Sequence, residues 1–200
     1  MYQNKKGGDD MNSVLIISPT EKSIAVFRDM LSQSSYRELV TVSNCGEARR
    51  LLIERSFDLC IINSPLRDET GVSMARNIAT DGSTQVILIV KNELYDDISM
   101  KVEEYGVFTI AKPISKVLFW SALKLCQASH NRMSMMRNEN KQLLQKIEDI
   151  RIVDRAKCIL IEYLNMSEAE AHKYIEKQAM DTRVTRRIIA ERILKTYEND

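Results

Sequence analysis

Long apolar runs are missing from this chain: none approaches the roughly 18 residues of a membrane span, and no signal-peptide pattern opens it. A cytoplasmic protein without membrane contact is therefore expected. Closely spaced cysteine pairs are missing too. Cys45, Cys60, Cys126 and Cys158 stand far apart, which argues against a zinc site or a disulfide framework and favours buried, reduced thiols. The two histidines, His130 and His172, stand alone. No Ser/His/Asp or Cys/His spacing marks a nucleophile, so neither enzymatic activity, nor a metal, nor a cofactor is expected. An excess of one charge is also lacking. A formal net charge of +1 leaves only local clusters to speak for nucleic acid. Glycine and proline are scarce, at 6 and 3 residues, and none falls between 117 and 164.

What is present is enough apolar material, 44% of the residues, for one or two ordinary cores. The polar opening, residues 1–13, reads as a disordered leader. From Val14 the chain alternates short apolar runs with helical spacing. Val14 to Ile17, Val40 to Val42, Leu59 to Ile62, Val86 to Val90 and Val107 to Ile110 read as strands. Between them, Ile24, Phe27 and Leu31, then Ala48, Leu51 and Leu52, recur at helical intervals. Further helices run through Ala75 to Ile78, through Ile98 and Val102, and from about Val117. Runs apolar on both faces and separated by helices imply a doubly wound, five-stranded parallel sheet, an α/β domain of the flavodoxin-like kind. Ligand chemistry in such a sheet sits at the carboxyl ends of the strands, here Ser18-Pro19, Asn63, Val90 and Lys112.

With its strand rhythm, Gly71 after the third strand and the final Lys112-Pro113, the segment 14–125 resembles the receiver domain of two-component response regulators. The resemblance places magnesium-binding acids where this chain has Ser18 and Pro19. It aligns the phosphate-accepting aspartate with Asn63, and the Thr or Ser of the fourth strand with Val90. Only Lys112 is retained. An asparagine amide cannot attack phosphorus as a carboxylate does, and too few hard oxygen ligands remain for magnesium. A pseudo-receiver not controlled by aspartyl phosphorylation is expected, with Asn63 and Lys112 as the degenerate site. Asp68 and Glu69 are expected in a solvated loop, and Lys112 is expected to lean toward solvent, Asn63 or Asp68.

From Val117 to about Leu164 a single helix can run. Met133, Asn140 and Ile147 occupy one core position of a 3-4 repeat, and Met136, Leu143 and Ile150 the other, with Leu144 widening the stripe. A buried asparagine fixes register and favours two parallel strands, so segment 126–150 is expected to be a coiled-coil connector of a homodimer. The competing reading is an amphipathic helix packed on its own domains.

The tail, 151–200, reads as a three-helix bundle. Ala156, Ile159, Leu160 and Tyr163 share one helical face. Ser167 and Glu170 form a capping box. Ala171, Tyr174, Ile175 and Ala179 line the second helix, and Ile188, Ile189, Ile193 and Leu194 the third, which begins at Asp181-Thr182 or Thr185. Ala156-Lys157 with Ile159-Leu160, Ser167-Glu168-Ala169-Glu170-Ala171, Ala179-Met180 and Ala190-Glu191 resemble, in order, the ANTAR module of transcription antitermination regulators. Cys158 departs from the small residue usual there.

That resemblance implies binding to stem-loops in nascent leader RNA, in the context of a transcribing RNA polymerase, and regulation that can include a sensor protein. Bottom-up support comes from the basic residues crowding the end. Lys157, Lys177, Arg183, Arg186, Arg187 and Arg192 are the candidate RNA contacts, with Tyr174 as a stacking platform, because guanidinium groups pair with phosphate and stack on loop bases. Tyr174 at this spacing equally suits a core. The alternatives are a DNA-binding response regulator, for which no clear turn precedes a recognition helix, and a protein-interaction adaptor.

Overall fold

The computed structural model describes residues 11–32 and 36–197. It divides into two compact units, Met1–Met135 and Met136–Asp200.

In the first unit, β1 (Ser13–Ile17), β2 (Glu38–Val42), β3 (Leu59–Asn63), β4 (Gln85–Lys91) and β5 (Phe108–Lys112) alternate with helices. These are α1 (Glu21–Leu31), α2 (Cys45–Glu54), α3 (Val72–Thr80), α4 (Tyr95–Val102) and the start of α5 (Lys116–Leu164). The strands form one parallel sheet in the order β2-β1-β3-β4-β5, as the alternation predicts. Two-residue periodicity splits the central strands between two cores. Leu15, Ile17, Cys60, Ile62, Leu88 and Val90 pack with residues of α2, α3 and α4. Val14, Ile16, Leu59, Ile61, Ile87 and Ile89 pack with Phe27 and Met30 of α1 and with Phe119, Leu123 and Cys126 of α5. Each fully buried side chain of this size stabilises the fold by about 1.5–3 kcal/mol.

Gly71 precedes α3 with φ 79°. A Cβ there would lie 2.8 Å from Ile62 Cγ2, so the close approach of turn and strand requires glycine.

Three expectations change here. Residues 11–13, expected within the leader, are ordered: Met11 is buried in the core, and the N–H groups of Asn12 and Ser13 donate to Asp58. Residues 1–10 lie outside the described residues. Met133, expected on a dimer seam, is half-buried, and its sulfur accepts a hydrogen bond from Gln85. Cys158 is exposed, whereas Cys45, Cys60 and Cys126 are buried.

The second unit comprises the rest of α5, then α6 (Glu168–Thr182) and α7 (Arg186–Tyr197). Its core joins Ala156, Leu160, Ala171, Ile175, Ala179, Ile189, Ala190, Ile193 and Leu194. Four alanines among them let the helices approach closely. Before this core, α5 carries an apolar row that is largely exposed among the described residues. Met136, Leu143, Leu144, Ile147 and Ile150 are about half exposed or more, and Asn140 is exposed. Among the described residues no helix is long and apolar enough to cross a membrane.

Candidate nucleic-acid interface

The second unit's surface follows from how its helices begin and end. Ser167 accepts from the Glu170 N–H while the Glu170 carboxylate accepts from Ser167 N–H, at 2.8 Å. This capping box holds the Glu170 carboxyl below its usual range and fixes where α6 starts. At the other end Arg183 takes the left-handed conformation, φ 55° and ψ 39°. The Arg183 N–H donates to the Ala179 and Met180 carbonyls, and Val184 N–H to the Ala179 carbonyl. The chain then turns at once into α7. The Thr185 hydroxyl accepts from Ile188 N–H, so the third helix begins at Arg186, beside the later of the two expected starts.

The turn sets Arg186 and Arg187 beside the last turns of α5. A cleft of about 350 Å³ opens there, and its lining includes Asp149, Ile150, Val153, Lys157, Arg186 and Arg187. Three predicted contacts, Lys157, Arg186 and Arg187, thus meet at one place. Each is held by carboxylates. Lys157 bridges Asp154 at 2.8 Å and Glu168 at 3.0 Å, and these hydrogen bonds raise its pKa, Asp154 first. Arg187 reaches Asp149 through Nη1 and Glu191 through Nε, both at 2.7 Å. Arg186 and His172 share Glu176, at 3.1 and 3.3 Å. Asp149, which also accepts from Gln145, is held below the usual carboxylate range by Gln145 and then Arg187.

The other candidates lie elsewhere. Lys177, Arg183 and Arg192 are exposed, and among the described residues they form no ion pair. Tyr174 is 39% exposed, at the margin of the α6 core face instead of within it. Tyr163 and Tyr197, not among the predicted contacts, stand with ring centroids 5.3 Å apart. Sequence reasoning missed most of the acidic partners. Helical spacing of three or four residues makes Asp154–Lys157, His172–Glu176 and Arg187–Glu191 readable. The pairs Asp149–Arg187, Lys157–Glu168 and Glu176–Arg186 leave no such signal.

At the carboxyl ends of the first unit's strands, Asn63 is 6% exposed. Its amide donates to the Ser18 hydroxyl at 2.9 Å, and Ser18 meets Ser23 at 2.6 Å. Val90 is fully buried. The Lys112 ammonium donates to the Ser64 carbonyl at 2.5 Å, instead of leaning toward solvent, Asn63 or Asp68. Burial, then Lys91 nearby, lowers its pKa. Nor is Asp68 simply solvated. Its two carboxylate oxygens accept from the N–H groups of Cys45 and Gly46, each at 3.0 Å, at the start of α2 where negative charge is favoured. Glu69 pairs with Arg49 at 2.6 Å.

The cluster therefore holds hydroxyls, an amide and an ammonium, a donor set that does not fit a magnesium ion. Cys45, Asp68 and Glu69 lie close enough together to bracket a metal. However, burial, reinforced by Glu69 and Asp68, pushes the Cys45 thiol up to about 12, and the Asp68 oxygens are occupied by α2.

Residues 141–194 match the ANTAR domain family. Over 168 residues the chain is 24% identical to the transcriptional regulatory protein PdtaR of Mycobacterium tuberculosis, covering 84% of this chain and 82% of that one. Among solved structures, the signal receiver domain of an HD domain-containing protein from Pseudomonas fluorescens Pf-5 is 20% identical, with a TM-score of 0.56. The match covers 68% of this chain and 99% of that one. A response regulator receiver domain from Clostridium thermocellum is 19% identical with a TM-score of 0.54, covering 63% and 99%. These structural likenesses concern the fold of the first unit.

Proposed function

We propose that this chain, an ANTAR-domain regulator with a receiver-like domain in front, acts in transcription by binding stem-loops in nascent leader RNA as a homodimer. Occupied stem-loops disfavour the competing terminator hairpin, and polymerase reads through. The observation that carries this reading is the set of basic side chains around the α6–α7 turn, inside the stretch that matches the ANTAR family. Lys177, Arg183 and Arg192 form no ion pair among the described residues, while Lys157, Arg186 and Arg187 rim a cleft whose lining includes Ile150 and Val153. Guanidinium groups bind phosphate in a bidentate way, and an apolar floor suits an unstacked loop base. Tyr174 offers a further face for stacking.

A second copy of the chain is the occupant proposed for the apolar row on α5. Leu143, Ile147 and Ile150 follow the spacing of a coiled coil, and Asn140 facing its own copy sets the register. Two copies present two RNA-binding surfaces, which suits a target made of two stem-loops, and linking them raises avidity without new contacts.

Control by aspartyl phosphorylation has no chemical basis at Asn63. An amide already donating to Ser18 stands in place of the nucleophile, and Ser18 and Pro19 occupy the positions that the receiver resemblance assigns to the magnesium acids. The proposal is tested by gel shift with a two-hexaloop leader RNA, single hairpins and duplex DNA. Tightest binding to the paired stem-loops is expected, and preference for duplex DNA would transfer the chain to the DNA-binding class.

A further inference from the structure

The spacing that carries the proposed homodimer does not stop with the apolar row at Ile150. Asp154, Lys157, Ile161 and Leu164 continue the alternating steps of four and three residues set by Leu143, Ile147 and Ile150, which is the repeat of a coiled-coil seam. α5 is one helix as far as Leu164. Ile161 and Leu164 are 37% and 45% exposed, and among the described residues neither joins the core of the second unit. Ala156 and Leu160 face that core. Ile161 lies five residues beyond Ala156, about 140° round the helix. The late apolar members of the row thus occupy a side of α5 that the core does not use.

Between the apolar layers comes a charged one. Asp154 holds Lys157 at 2.8 Å within the chain, and Asp154 stands two heptads after Asn140. In a parallel pair each position meets its own copy. Two Asp154 carboxylates and two Lys157 ammoniums then stack one turn apart, and their charges cancel. Sliding one copy by a heptad would set Asp154 and Lys157 against Ile147 and Ile150, or against Ile161 and Leu164, and charge buried against apolar groups is costly. We infer that the dimer seam runs through the second unit to Leu164, with Asp154 of each copy reaching Lys157 of the other. An ammonium has three donors, so Lys157 can serve both carboxylates. A second copy in register supplies the apolar layers and the matching charges together. This inference rests on the homodimer reading and extends it: the two three-helix bundles are fixed to one another along α5, not joined only upstream.

Charge complementation in the full-length protein tests it. Asp154→Lys leaves only ammoniums in the charged layer, and Lys157→Asp only carboxylates. Each variant alone is expected to dimerise at least about tenfold more weakly than wild type by sedimentation equilibrium, because like charges meet across the seam. Mixed in equal amounts, the two are expected to form a heterodimer of near wild-type affinity, which an ion pair within one chain cannot produce. Circular dichroism checks that each is folded. Ile161→Lys with Leu164→Lys, outside the core, should also weaken the dimer about tenfold, and it carries the test should Lys157→Asp fail to fold. A wild type that stays monomeric at micromolar concentration would overturn the homodimer reading and this inference together. A wild-type dimer with unchanged affinity in the Ile161 and Leu164 double variant, or folded charge variants that gain nothing on mixing, would overturn the inference alone and end the seam at Ile150.

Discussion

Arg187 grips Asp149 across 38 residues of chain, Nη1 to Oδ1 at 2.7 Å, and so ties the start of α7 to the end of the apolar row on α5. The cation counted from sequence as a phosphate contact is, in the free protein, already neutralised by two carboxylates. RNA must compete with them or share the guanidinium. An arginine offers five donors, and those not engaged by Asp149 and Glu191 stay available.

Neutralising the basic residues therefore has graded consequences. Arg183→Gln with Arg187→Gln is expected to weaken leader RNA binding and to flatten the slope of log K against log salt by about one to two. Asp149→Asn removes the competing charge and is expected to tighten binding several-fold. Filter binding between low and moderate salt measures both, and an unchanged slope in the double variant would remove Arg183 and Arg187 from the interface.

Charge placed in the α5 row should separate dimerisation from folding. Leu143 and Ile147 are 55% and 48% exposed, so Leu143→Lys with Ile147→Lys leaves all three cores intact. The expected outcome is a monomer by sedimentation equilibrium at micromolar concentration, with an unchanged far-ultraviolet spectrum. Affinity for paired stem-loops should fall to that for a single hairpin. A wild-type chain that sediments as a monomer would remove the homodimer from the proposal.

Acid should act on the first unit through Asp58. Burial opposes its ionisation, but the N–H groups of Asn12 and Ser13 and the Ser13 hydroxyl outweigh that, and its pKa is lowered. A carboxyl depressed in the folded state contributes stability that is present above its unfolded pKa and lost as pH falls through the folded one. Asp58→Asn is expected to cost about 1–3 kcal/mol at neutral pH. The difference from wild type should shrink below about pH 4, where the unfolded carboxyl takes up its proton, as read by urea denaturation across pH. A difference constant from pH 7 to pH 3 would show that Asp58 acts otherwise.

Gly71→Ala tests the tight turn beneath α3. The left-handed φ of 79° and a Cβ 2.8 Å from Ile62 Cγ2 predict destabilisation of at least about 1–2 kcal/mol. Gly106→Ala, where φ is 77° but nothing lies within 4 Å, should be milder. Comparing the two melting temperatures separates backbone strain from steric overlap, and equal losses would leave the close approach without weight.

Much of the fold was legible before any coordinates. Val14 to Ile17 and Val86 to Val90 are apolar on both faces, which only a sheet covered on both sides accommodates. The absence of glycine and proline from 117 to 164 allowed one long helix, and α5 runs from Lys116 to Leu164. Ser167 and Glu170 marked the start of α6 because a capping box is a local, four-residue device. The sites were less legible. Met133 fits the heptad yet is held at Gln85, because a helix side chain answers to whatever packs against it. Asp68 looked like a loop acid, and only the fold places the α2 N-terminus over it.

By itself the sequence determined the alternation of strands and helices, an amide instead of a carboxylate at residue 63 and the clustering of cations near the end. Hydrophobic periodicity and side-chain chemistry are properties of residues and their near neighbours. Only the tertiary structure decided which cations are paired. Lys157 and Arg187 are each held by two carboxylates and Arg186 by one, while Lys177, Arg183 and Arg192 form no ion pair among the described residues. An ion pair needs charged atoms within about 4 Å, and across a folded bundle that separation is set by where the helices turn back.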